Sequence, residues 1–124
     1  MKGSVFMFVK FNKYGRNISV SNNSPYAEYA GNSMYYDSYG NFYFEIPGDA
    51  SKYPYRNDYG EIYEVGDCRF YYNDDKRMYE IYKYNYGSYR FYYNDDGLLY
   101  EANGIRIYYT DSGQMYEINN RRVY

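Results

Sequence analysis

The sequence contains no tryptophan and no histidine, one cysteine and three prolines among its 124 residues. Each shortage excludes something. Without histidine there is no imidazole to act as general base, nucleophile partner or metal ligand, which removes the histidine-dependent classes of nucleophilic catalysis. A lone cysteine, Cys68, allows no intrachain disulfide and no thiolate metal cluster, and its place in a predicted strand marks it as a packing residue. The net charge is -2 and the basic side chains are dispersed, so the basic patch that a phosphate backbone requires is missing and nucleic acid is not an expected partner. The N-terminal MKGSVFMFVKF holds an apolar run of five residues, too short for the core of an export signal and far too short for a membrane span. No stretch has helical periodicity or an unbroken series of helix formers.

What the chain has instead is tyrosine, 25 residues against 7 phenylalanines. A tyrosine can bury its ring and leave its hydroxyl wet, which suits a thin structure that encloses few side chains completely. The tyrosines recur with a turn. KFNKYG ending at Gly15, YYDSYG at Gly40, YRNDYG at Gly60, YYNDDK at Lys76, YYNDDG at Gly97 and YYTDSG at Gly113 form one series, and Phe42, Ile62, Met78, Leu99 and Met115 each stand two positions after such an ending. The steps are 25, 20, 16, 21 and 16 residues, so a hairpin is kept while its connection varies. A four-residue Asn/Asp-rich turn ending in glycine predicts a type I turn closed by a left-handed residue. Between these long turns, Gly66-Asp67, Asn103-Gly104 and Asn119-Asn120 predict two-residue type I′ turns. Long and short turns in alternation predict an antiparallel meander.

Turn length sets which residues face each other across a hairpin. Over NDDG the count places Tyr93 opposite Leu98, Tyr92 opposite Leu99, Phe91 opposite Tyr100 and Arg90 opposite Glu101; over Asn103-Gly104 it places Glu101 opposite Arg106. Carried through every turn, with YKYNYGS as a longer hairpin, it predicts one row of alternating sign: Glu64, Arg69, Glu80, Arg90, Glu101, Arg106, Glu117, Arg122. Each opposed pair contributes about 0.2–1 kcal/mol, so such a row acts chiefly by penalising a slipped register. On the same face the count puts Ile62, Tyr71, Met78, Tyr92, Leu99, Tyr108, Met115 and Tyr124. The other face carries Tyr63, Phe70, Tyr79, Phe91, Tyr100, Ile107, Tyr116 and Val123, with Val65, Cys68, Ile81, Tyr89, Ala102, Ile105 and Ile118 beside them. Nearly free of charge, it is expected to be the concave or buried side.

The predicted fold is therefore all-β: an antiparallel meander of tandem β-hairpin repeats forming a twisted single-layer or spiral sheet, β-solenoid-like, in one continuous array. Residues 1–50 form divergent N-terminal hairpins, in which FMFVKFNKYGRNISV and NSMYYDSYGNFYFEI are joined through SNNSPYAEYAGN; residues 51–124 form the regular tyrosine-rich hairpins. PGDASKYP, residues 47–54, has two prolines and is the expected irregular joint.

The string of an aromatic residue, Tyr, Asn/Asp/Thr, two polar residues, Gly, any residue and Leu/Met resembles the YD repeat of the Rhs family. It is carried by Tyr36-Asp37 with Gly40 and Phe42, Tyr93-Asn94 with Gly97 and Leu99, and Tyr109-Thr110 with Gly113 and Met115, across most of residues 35–124. That resemblance implies a spiral of β-hairpins in a secreted or extracellular protein, building a shell or serving as a surface module. A second similarity, to choline-binding or cell-wall-binding repeats, rests on Asn103-Gly104 followed by Tyr108-Tyr109, Gly113 and Met115. Those modules stack tryptophans around their ligand, and this chain has none.

Chemistry is sparse. The doublets Asp74-Asp75 and Asp95-Asp96 offer paired carboxylates or oxygen ligands for calcium, but they stand where turn residues are needed and are read as such. The expected function is that of a non-enzymatic structural or interaction protein, extracellular or at the cell surface, with no cofactor and no metal, self-assembling through open sheet edges into a filament or shell. Its candidate interaction surface is Tyr71, Tyr92, Tyr108, Tyr124 and Arg122. The expected partner is a second copy or another protein. The rival expectation is a carbohydrate-binding module that uses the tyrosine rows on a cell-surface glycan. An array stopping in mid-repeat at Tyr124 suits either a fragment or a unit that continues onto another copy.

Overall fold

The computed structural model describes residues 5–123, and the regular structure among them is all β-strand. One antiparallel sheet contains β1 (Phe6–Asn12), β2 (Ser19–Ser21), β3 (Glu28–Gly31), β4 (Met34–Tyr36) and β5 (Asn41–Pro47), ordered β2-β1-β5-β4-β3. A second contains β6 (Tyr55–Arg56), β7 (Ile62–Val65), β8 (Cys68–Tyr72), β9 (Met78–Lys83), β10 (Gly87–Tyr93), β11 (Leu99–Ala102), β12 (Ile105–Tyr109), β13 (Met115–Ile118) and β14 (Arg121–Arg122), in chain order throughout. The expected antiparallel meander thus runs from β6 to β14, and of the expected irregular joint 47–54, Pro47 ends β5 while residues 48–54 form the connection between the sheets. One strand, β3, forms within a segment read from sequence as a link.

The expected single layer is corrected by the packing. Along β1 and β5 every second residue is apolar: Met7, Val9 and Phe11, then Phe42, Phe44 and Ile46, none more than 1% exposed. Such a face needs a cover, and the largely apolar inner face of the nine-stranded sheet, with Lys83 as its buried charge, provides it. Phe91 of β10 meets Phe11 and Phe44 edge-on, with ring centroids 5.4 and 5.8 Å away. The two sheets therefore share one core. Neither sheet closes on itself.

The long turns follow their residue chemistry closely. Asn12, Asp37, Asn57, Asn73 and Asn94 each accept, through a side-chain oxygen, the backbone N–H groups two and four residues on, and the Thr110 hydroxyl accepts the second of these. The closing residue is left-handed in every case, including Lys76 at φ 64° where no glycine is present. Asn103-Gly104 and Asn119-Asn120 have positive φ at both positions, as type I′ turns require. Gly66-Asp67 departs from that expectation: only Gly66 is positive, the type II′ pattern, and Asp67 instead pairs with the buried ammonium of Lys83.

The predicted register holds across the two-residue turns and the longer hairpin, and fails across the long turns. Glu64 opposes Arg69, Glu80 opposes Arg90, Glu101 opposes Arg106 and Glu117 opposes Arg122. Arg69, however, opposes Tyr82, while Tyr71, Tyr92 and Tyr108 oppose Glu80, Glu101 and Glu117. The row of eight alternating charges is thus four separate couples. The cause is one extra residue after each long turn of the nine-stranded sheet: Tyr63, Tyr79, Tyr100 and Tyr116 are unopposed, so the partner strand shifts register at that point.

A bulge also turns two consecutive side chains to the same side, which redistributes the predicted faces. In Ile62–Val65, Met78–Ile81 and Leu99–Ala102 the outer pair is apolar and buried, while the Tyr-Glu pair between them points away from the core. Ile62, Met78 and Leu99 therefore lie inside, contrary to their predicted place beside the charges. Tyr63, Tyr79, Tyr100 and Tyr116 leave the predicted buried face for the outer one. Phe70, Phe91, Ile107, Val65, Cys68, Ile81, Ala102, Ile105 and Ile118 are buried as expected.

Candidate functional site: a tyrosine-lined outer face

The strands that begin after a two-residue turn carry tyrosine doublets, Tyr71-Tyr72 and Tyr108-Tyr109, and β10 carries Tyr92-Tyr93. Alternation sends one ring of each doublet outward and the other inward. The outward rings, Tyr71, Tyr92 and Tyr108, are about two-fifths exposed and belong to the predicted surface. Each meets the bulge tyrosine of the next strand: Tyr71 with Tyr79, Tyr92 with Tyr100, Tyr108 with Tyr116, and likewise Tyr55 with Tyr63, all with centroids 6.4 Å apart. The glutamate after the bulge then faces an arginine. Glu64 to Arg69 is 3.2 Å, Glu80 to Arg90 3.3 Å and Glu101 to Arg106 2.9 Å. Arg90, Arg106 and Arg122 lie 5.9, 5.8 and 5.7 Å over the rings of Tyr79, Tyr100 and Tyr116.

The result is one small cluster, Tyr, bulge Tyr, Glu and Arg, repeated along the outer face at intervals of two strands, roughly 9–10 Å. Of the five predicted surface residues, Tyr71, Tyr92 and Tyr108 stand in equivalent places in successive clusters. Arg122 is exposed in the last of them, opposite Glu117. Tyr124 lies outside the described residues. The bulge tyrosines were missed from sequence, although the pattern apolar-Tyr-Glu-apolar in Ile62–Val65, Met78–Ile81, Leu99–Ala102 and Met115–Ile118 was the available signal: two polar residues between two apolar ones cannot alternate regularly.

The inward rings act as locks. Tyr72 donates its hydroxyl to the Ile62 carbonyl at 2.6 Å, Tyr93 donates to Met78, and Tyr109 donates to Leu99 at 2.8 Å. Each therefore bolts its own hairpin to the bulged strand of the preceding one. The matching amides of Met78 and Leu99 donate to Gly15 and Lys13, at 2.9 and 2.8 Å, so the β1–β2 turn is seated on the same strands. At the other end of the sheets Asn32 and Asn103 exchange side-chain-to-carbonyl bonds of 2.9 and 3.0 Å, and Asn119 donates to Ala30 at 2.7 Å.

Burial pushes the phenols of Tyr72, Tyr93 and Tyr109 above the tyrosine range. Tyr35 and Tyr43 rise to about 12, first through burial and then through donating to Glu45 and Asp37 at 2.8 and 2.7 Å. The fold thus favours the neutral phenol, so this contribution is complete below the unfolded tyrosine value near ~10 and is lost as pH rises through the folded values. Urea unfolding should give flat stability up to about pH 9.5 and a fall above pH 10, with ultraviolet-detected ionisation of the locked tyrosines arriving together with unfolding. Independent ionisation of all tyrosines near ~10, with stability unchanged, would contradict the locks.

The remaining candidates are structural. Cys68 is fully buried and burial raises its thiol to about 11, so it packs as expected. Asp74, Asp75, Asp95 and Asp96 lie in turns, where Asp75 and Asp96 give their amides to Asn73 and Asn94. Among the described residues no three His, Cys, Asp or Glu side chains gather as a metal site, and no helix is long and apolar enough to cross a membrane. No protein-family model matches the chain, and neither a curated protein nor a solved structure matches it.

Proposed function

We propose that this is a non-enzymatic structural or interaction protein that associates through the open ends of its nine-stranded sheet, building a filament or shell. The observation that carries the reading is the recurrence of one unit: lock, bulge and Tyr-Tyr-Glu-Arg cluster repeat from hairpin to hairpin, while the end strands β6 and β14 each pair on one side only among the described residues. Repeating units of this type add at their ends at little cost, because each interface copies one already inside the molecule, and an unpaired strand edge recruits another strand. The resemblance to YD repeats supports the same proposal, including a spiral arrangement and a location outside the cell. Light scattering across a wide concentration range, with electron microscopy at the upper end, tests it. Particle mass should rise with concentration; a monomer at every concentration would end the reading.

The outer face favours one rival. Tyr71, Tyr92 and Tyr108 present partly exposed rings at even spacing, with arginine and glutamate beside them, which suits stacking and hydrogen bonding along an extended glycan. A glycan array decides it: binding that is lost in Tyr92→Ala and Tyr108→Ala, with no change in particle mass, would place function on this face.

A further inference from the structure

One-electron oxidants act first on tryptophan, cysteine, methionine and tyrosine, and this chain offers them little but tyrosine. It has no tryptophan, and Cys68, Met7, Met34 and Met78 are all 0% exposed. The tyrosines are not equal targets. A phenol gives up an electron readily when its proton can leave at the same time, so one that donates to a carboxylate is favoured. Among the described residues two hydroxyls meet that condition, Tyr35 on Glu45 at 2.8 Å and Tyr43 on Asp37 at 2.7 Å. The locks Tyr72, Tyr93 and Tyr109 donate to backbone carbonyls, which are too weakly basic to take the proton.

A second condition selects between the two. A tyrosyl radical reaches a stable product by coupling with another, so a second tyrosine ring must stand against the first. Tyr35 lies between Met34 and Tyr36, which both pack into the core, and alternation therefore turns it to the outer face of the five-stranded sheet. There Tyr29 of β3 opposes it directly. Their ring centroids are 5.0 Å apart, closer than Tyr53 to Tyr55 at 5.8 Å or the pairs of the nine-stranded sheet at 6.4 Å. The planes are tilted by 56°, and two directly bonded phenol rings are likewise twisted. Tyr29 is 53% exposed, within reach of an oxidant in solution. Tyr43 opposes Tyr35 on its other side, yet forms no ring pair among the described residues and instead carries the Lys10 ammonium 5.9 Å over its ring.

We propose that Tyr29 and Tyr35 are a site of oxidative cross-linking, where a small one-electron oxidant, peroxide-derived or a high-valent metal complex, joins them as dityrosine. One electron leaves Tyr35 for the oxidant as its phenolic proton passes to Glu45; a second leaves Tyr29, whose proton goes to water. The two radicals couple through ring carbons ortho to the hydroxyls, forming one C–C bond. The hydrogen on each of those carbons then moves as a proton to the phenolic oxygens, which restores both phenols. In all, the protein loses two electrons and two protons, and the oxidant takes up the electrons. The bond staples the edge strand β3 to β4. An edge strand is held from one side only and opens early, so the staple fastens it where pairing is weakest. None of this depends on assembly.

The test exposes dilute protein to photogenerated ruthenium(III) tris-bipyridyl, with persulfate as electron acceptor. Products are followed by dityrosine fluorescence, intact mass and cyanogen bromide cleavage, which cuts after Met34, between the two tyrosines. The expected first product is a monomer lighter by two hydrogens, with fragments 8–34 and 35–78 still joined through Tyr29 and Tyr35. Tyr29→Phe and Tyr35→Phe keep their rings and should lose this product. Glu45→Gln keeps a hydrogen-bond acceptor but no base, and should slow its formation at least ~10-fold. Thermal unfolding before oxidation confirms that the variants fold, and the half-exposed Tyr29→Phe suffices if Tyr35→Phe does not. A first cross-link at another pair, cross-links only between molecules, or the same product in Tyr29→Phe overturns the site. An unchanged rate in Glu45→Gln overturns the carboxylate as the proton acceptor.

Discussion

Gly15→Ala is expected to destabilise the protein by about 3–5 kcal/mol, whereas Gly60→Ala should cost only about 1–2 kcal/mol. Both glycines close a long turn with positive φ, 73° and 81°, so both substitutions pay the same left-handed strain. Their surroundings differ. A methyl group on Gly60 meets nothing within 4 Å, while one on Gly15 would stand 2.0 Å from the Tyr93 hydroxyl oxygen and 2.4 Å from its ring. That ring is held by the Met78 carbonyl and cannot swing aside. Relief requires either breaking the lock or lifting the β1–β2 turn, which forfeits the bonds from Met78 and Leu99 to Gly15 and Lys13 and that from Arg77 to Tyr14. Urea unfolding of the two variants measures the difference. A double-mutant cycle with Tyr93→Ala should show strong coupling, since removing the ring removes the obstruction. If Gly15→Ala proves as mild as Gly60→Ala, the turn does not sit on Tyr93 as described.

Phe91→Ala carries the other large effect, about 3–5 kcal/mol by the usual cost of emptying a buried aromatic site. Phe91 is 2% exposed and touches rings from both β1 and β5, so its loss opens a cavity between the sheets rather than within one. Its neighbour Tyr92, 43% exposed, should tolerate alanine at under about 1 kcal/mol. Because the core is shared, far-ultraviolet dichroism and tyrosine fluorescence should report one coincident transition in wild type and variant alike. Two separated transitions in wild type would mean that each sheet is stable alone, and the packing described between them would be wrong.

How far the sequence could be read depended on how local the controlling physics was. The long turns were legible because Asn94 and its equivalents satisfy the backbone two and four residues on, entirely within the turn. The antiparallel order from β6 to β14 followed from those turns. Couples such as Glu101 with Arg106 were legible because only two residues separate their strands. Errors began at the bulges: a single unopposed residue, Tyr100, shifts the pairing of β10 with β11 beyond it, so Arg90 lost its predicted partner Glu101 and Tyr92 gained it. Of the candidate surface, Tyr71, Tyr92 and Tyr108 were found because outward alternation is local, while Tyr79, Tyr100 and Tyr116 were placed on the wrong face by the same missed bulge.

By itself the sequence determined the all-β class, the long turns, the meander of β6 to β14 and the outward tyrosines Tyr71, Tyr92 and Tyr108, since each depends on residues within one hairpin. Only the tertiary structure decided that there are two sheets and not one. The covering of Phe91 by Phe11 and Phe44, the seating of Gly15 against Tyr93 and the use of inward tyrosines to bolt hairpins together all join residues distant in the chain. Apolar alternation says that a face must be buried, but the partner that buries it is chosen by whichever uncharged surface the folded chain can bring within reach.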